Sequence, residues 1–155
     1  MEALRPTDLV TVLRSPINRV RIGLWLYPTA VIGQESIEAA RLQIEAVDIR
    51  QPLIASLPEG TRFLGLNVDR LIELLDEICQ GPKGMDCLLI YHLDLLLARL
   101  TQDACRHFWD QMFIGFPNRK RALIFGMPKT ATILLPNGNR LEGWKREQRL
   151  AIGIS

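Results

Sequence analysis

Asp86-Cys87-Leu88-Leu89-Ile90-Tyr91-His92-Leu93-Asp94-Leu95-Leu96-Leu97-Ala98-Arg99-Leu100 is the stretch on which the fold turns. Four apolar or aromatic residues follow Cys87, too few for a helix and suited to a strand buried on both faces, as at the centre of a parallel sheet. His92 and Asp94 fall where that strand surfaces. In open α/β folds ligands bind beyond the carboxyl ends of strands, so polar groups there are the first candidates for a site.

Outward from this strand, helical and strand patterns alternate. Upstream, residues 68–80 place Leu71, Ile72, Leu74, Leu75 and Ile78 at helical spacing, and Gly81-Pro82-Lys83-Gly84 breaks the helix. A short strand is expected over 62–67, preceded by an irregular or short helical connection over 48–60. A helix is expected over 36–46 with Ser36 as its cap. The branched and aromatic run over 20–27, stopped by Pro28, reads as the first core strand. A short amphipathic helix over 7–13 precedes it. Downstream, a helix over 101–114 starts on Thr101, with Asp103 near its positive end. A strand over 121–126 is stopped by Pro128. Residues 131–135 and 140–144 flank Pro136-Asn137-Gly138-Asn139, a hairpin signal, and a last strand covers 149–154. The expected fold is one α/β domain over 1–155: three layers, a mainly parallel sheet flanked by helices, and a C-terminal β-hairpin.

Composition narrows the class. A chain of 155 residues fits one domain with a sizeable core, and 48% hydrophobic with 23% charged residues is globular usage. Net charge is +2, but residues 101–155 carry 9 basic and 4 acidic side chains, so this third is locally basic. Cys79, Cys87 and Cys105 lack C-x-x-C spacing and read as buried thiols of a reducing compartment. No cationic leader and no apolar run of membrane-spanning length is present, which gives the expectation of a cytoplasmic protein without membrane contact.

Chemistry is then sought at the strand exits. A phosphate-binding loop, G-x-x-x-x-G-K-[S/T], cradles phosphates on backbone amides, neutralises them with lysine and holds magnesium by the hydroxyl. After the first strand this chain reads Pro28-Thr29-Ala30-Val31-Ile32-Gly33-Gln34-Glu35. Only Gly33 matches. Pro28 replaces the first glycine, Gln34 the lysine and Glu35 the hydroxyl, placing an anion where phosphate belongs. Gly126-Met127-Pro128-Lys129-Thr130 ends in Lys-Thr without the preceding glycine. In the Walker B strand of the additional-strand P-loop ATPases an aspartate and often a glutamate follow four apolar residues; here these are His92 and Leu93. His92 and Asp94 remain weak catalytic candidates, and no cofactor or metal is expected. The motifs G-x-S-x-G, H-E-x-x-H and G-x-G-x-x-G are missing.

Two surfaces stand out. Arg119, Lys120, Arg121, Arg140, Lys145, Arg146 and Arg149 are expected to form a basic surface near Trp144, which would suit nucleic-acid phosphate or an acidic protein. Leu93, Leu95, Leu96, Leu97 and Leu100 exceed what a strand exit needs and are candidates for a protein interface.

The order of apolar strands and their exits resembles the small B-type accessory protein of BREX phage-defence systems and, more distantly, their small P-loop F-type component. The similar stretches are Ile22 to Pro28, Leu66 to Leu75, Leu88 to Leu97, Arg121 to Pro128 and Arg149 to Ile152. The resemblance implies a P-loop-like α/β fold without an intact Walker A motif and a non-catalytic place in a multi-protein defence complex. Its partners are expected to be other subunits encoded nearby. Two alternatives use the residues differently: a nucleic-acid-binding module on the basic C-terminal hairpin, and a divergent ATPase subunit using Lys129-Thr130 or His92-Asp94.

Overall fold

A computed structural model describes residues 3–15, 17–55, 67–81, 84–116 and 119–154. Five strands form one all-parallel sheet: β1 (Ile22–Tyr27), β2 (Glu45–Asp48), β3 (Cys87–Tyr91), β4 (Ala122–Pro128) and β5 (Leu150–Ile152). They lie in the order β2-β3-β4-β1-β5. Every residue of β1 and β4 is buried, as is β3 up to Ile90, because these strands are covered on both faces. The expected central strand is therefore β3, with β4 and β1 continuing the interior.

Alternate side chains feed two cores. On one face lie Ile22, Leu24 and Leu26 of β1, with Leu88 and Ile90 of β3. Against them pack α3 (Arg50–Ala55), α4 (Val68–Gln80), α5 (Leu93–Leu97), α6 (Gln102–Ile114) and α7 (Gly138–Arg146). Trp25, Tyr27 and Leu89 point the other way, beneath α1 (Pro6–Arg14) and α2 (Glu35–Arg41). Three layers result, as the alternating patterns predict.

Capping explains why two helices begin where the sequence places them. Asn67 Oδ1 accepts from the Asp69 amide at 2.8 Å and Thr101 Oγ1 from the Ala104 amide at 3.1 Å, satisfying amides that the first turn leaves free.

Three expectations are corrected. The helix expected over 36–46 starts at Glu35 on Gln34, with no side-chain cap from Ser36, and stops at Arg41. Gln43 then takes a left-handed conformation, φ 59°, and the chain enters edge strand β2. The C-terminal hairpin does not form. Its first half is a 3-10 turn at Thr132–Leu134, and its second half is α7. Asn137 caps that helix by accepting from the Arg140 amide, and Leu141 with Trp144 gives the inward helical spacing. Finally, β4 runs through Pro128, which pairs in register with Tyr27. The short strand expected over 62–67 lies outside the described residues apart from Asn67, the α4 cap.

Candidate functional site at the strand exits

With all strands parallel, the carboxyl ends of β1, β2, β3 and β4 share one edge. Side chains of β1, β2 and β3 meet others there. At the β1 exit the Tyr27 ring crosses in front of Gly126: a Cβ built on that residue would meet Tyr27 Cε2 at 2.8 Å, so only glycine fits. The Tyr27 hydroxyl donates to Glu35 Oε2 at 3.2 Å. Glu35 is 3% exposed and opens α2, where the amide dipoles favour an anion. Burial first, then the neighbouring Glu35 charge, drives the Tyr27 phenol far above its ordinary value, so it stays a proton donor.

At the β2 exit Asp48 is the hub. Its Oδ1 accepts from the backbone amide and Nε of Arg50, both at 3.1 Å, and its Oδ2 from Arg50 Nη2 at 2.8 Å. His92 Nδ1 sits 3.0 Å from the same Oδ2. Burial alone would raise the Asp48 pKa, but the bonds from Arg50 and the close approach of the His92 ring outweigh it and hold the carboxyl down to about 2. His92 caps α5 in a left-handed conformation, φ 62°, a position uncommon outside glycine. Its ring leans on Tyr91, centroids 4.7 Å apart. Asp94 is half-buried and acts electrostatically on Tyr27 and Arg50. The two catalytic candidates therefore belong to different contacts, and His92 is oriented by Asp48, a partner hidden in a strand that the sequence pattern obscures. An acid and an arginine two positions apart, Asp48 and Arg50, are the local signal for it. Lys129 and Thr130 are exposed in a turn beyond β4.

The basic cluster divides. Arg149 is 5% exposed and donates to the carbonyls of Ile22, Met112 and Phe113, so it is a core residue and no part of a binding face. Arg119 pairs with Asp76 at 2.9 Å, Arg140 forks onto Asp110, and Lys145 reaches Glu142 at 3.5 Å. Arg121 is half-buried, and Lys120 and Arg146 are the exposed members that form no ion pair among the described residues. Of the leucines, Leu93, Leu96 and Leu97 are buried in the protein's own core and Leu100 packs against it, which leaves Leu95 as the exposed one. The surplus of leucines is accounted for by α5.

Burial also pushes the thiols of Cys79 and Cys87 up to about 12, which removes thiolate chemistry from them near neutral pH. Among the described residues no group of three or more His, Cys, Asp and Glu side chains is placed to hold a metal ion, and no helix is long and apolar enough to cross a membrane. Compared with models of protein families, with curated proteins and with solved structures, the chain matches none of them.

Proposed function

We propose that the chain is a non-catalytic accessory subunit: a P-loop-like scaffold whose strand-exit edge is closed by its own side chains, and which acts by contact with another protein. The phage-defence complexes it resembles are the setting this reading favours. The observation that carries it is Glu35, a buried carboxylate held by Tyr27 at the point of the chain where a phosphate-binding loop would place its hydroxyl. A phosphate brought to that carboxylate would meet like charge in a desolvated place. The position of β4 between β1 and β3 supports kinship with the additional-strand class, in which a strand separates the phosphate loop from the Walker B strand.

Melting with and without magnesium-ATP tests the non-catalytic half. A ligand at a hundredfold excess over its Kd stabilises by about 2.7 kcal/mol, a shift of several degrees for a domain of this size. The expected result is an unchanged melting temperature; a concentration-dependent rise overturns the reading. Co-expression with the products of adjacent genes, sized by light scattering, tests the scaffold half. A stoichiometric complex is expected, and a lone monomer overturns it.

A further inference from the structure

Helix α2 carries its polar side inward. Glutamate is rarely buried unless paired, yet Glu35 and Glu38 turn into the protein beside Ala39, Glu38 being 7% exposed, while Ile37 at 51% and Ala40 face water. Glu38 Oε1 accepts from Arg41 of the same helix at 3.0 Å. Its Oε2 is buried with no hydrogen-bond partner among the described residues. Laying α2 on the sheet therefore leaves a desolvated carboxylate oxygen unsatisfied, a cost that water would remove.

Little holds the helix down. It packs over β2 and β3, and its buried apolar side chain is Ala39, joined just past the last turn by Leu42. Among the described residues one side-chain hydrogen bond ties α2 to the rest of the chain, from Tyr27 to Glu35 at 3.2 Å.

Both ends are turns in the left-handed region. Gly33 has φ 85° with open space where a Cβ would stand, and Gln43 has φ 59°. Arg14 Nη2 donates to the Gln43 carbonyl at 2.6 Å and so fixes that turn against α1. Across it the Ile44 amide reaches back to the Ala39 carbonyl at 3.0 Å.

We infer that α2 is a flap over the carboxyl edge of the sheet: residues 34–42 swing open as one unit on Gly33 and Gln43, far more often than the whole domain unfolds. Opening breaks the Tyr27–Glu35 bond, hands both glutamates to water and uncovers the sheet beneath; closing shuts the edge again. The closed edge is one state of a gate. This goes beyond the subunit reading and holds whether or not a complex forms.

The test is amide exchange of the full, unaltered chain, followed residue by residue. The amides of Ala39, Ala40, Arg41 and Leu42 should share one protection factor, at least about a hundredfold below those of β3 and β4, and depend little on dilute urea because a local opening bares little surface. The Ile49 amide, bonded to the Tyr91 carbonyl across the pivot at 3.2 Å, should exchange with the sheet. Tyr27→Phe should speed exchange of the four amides about tenfold, and Glu38→Met, which puts an apolar chain of like length in the buried place, should slow it about tenfold. A thiol at Ala39→Cys reports uncovering directly, with Cys87 of β3, fully buried, as the standard for opening of the whole sheet. The Ala39→Cys thiol should react with a maleimide at least about a hundredfold faster than Cys87. Exchange of α2 at the rate and urea dependence of β3 and β4 overturns the proposal. So does a gradient of protection from the helix ends, which marks fraying, or an Ile49 amide that exchanges with α2, which removes the pivot at Gln43. Four amides indifferent to both Tyr27→Phe and Glu38→Met would overturn it as well, since the bonds named here would not be the ones that break.

Discussion

The carboxyl edge of the sheet buries an anion, Glu35, and the amino edge buries a cation, Arg149, yet the two are held very differently. Glu35 accepts one side-chain bond, from Tyr27, at the start of a short helix. Arg149 joins three elements: it donates to the first residue of β1, to two carbonyls at the end of α6 and to Glu147, and lies 5.0 and 4.5 Å from the ring centroids of Phe113 and Trp144. One edge is clamped and the other merely closed. The comparison teaches where stability and where tolerance reside: the amino edge cannot lose its ion without orphaning carbonyls, whereas the carboxyl edge can exchange polar groups at modest cost.

Arg149→Ala should break the clamp, lowering stability in urea by about 3 to 5 kcal/mol as buried carbonyls lose their donor. At the closed edge Tyr27→Phe leaves Glu35 buried without its hydroxyl partner, and about 1 to 3 kcal/mol is expected in the same measurement. A loss as large as that of Arg149→Ala would erase the asymmetry. Asp48→Asn sharpens the picture through pH. Because the carboxyl is held below its ordinary 3.8, its pairing contributes fully above that value and is lost as pH falls toward 2. The difference from the unaltered protein, about 1 to 2 kcal/mol after allowing for the water-exposed Arg50, should be constant from pH 7 to 5 and shrink below about 4 in urea titrations. Smallest of all, Glu35→Gln keeps an acceptor for Tyr27 and forfeits only the favourable charge at the helix start, within about 1 kcal/mol by thermal unfolding.

What the sequence made legible follows from how local the signals are. The helix α4 and the cap of α6 were readable because apolar spacing and capping residues coincide within a few positions. β2 was hidden because a short edge strand, Glu45–Asp48, has only partly buried side chains and follows a turn taken by Gln43 where glycine would be the usual marker. Asn137-Gly138 misled because the same pair that starts a hairpin also caps a helix, and packing of Trp144 into the core decided between them. The site was half legible for the same reason: His92 stood at a visible strand exit, but its orienting Asp48 lay in the hidden strand, and nothing in the local pattern marks Arg149 as buried.

Strand order also sets a timetable for synthesis. Among the described residues β1 pairs with β4 and β5, roughly a hundred residues later in the chain, and β2 with β3. At about 5 to 20 residues per second the ribosome leaves Ile22-Gly23-Leu24-Trp25-Leu26-Tyr27 without a strand partner for some 5 to 20 s. That interval is a window for chaperones, and for aggregation, which the finished molecule no longer displays.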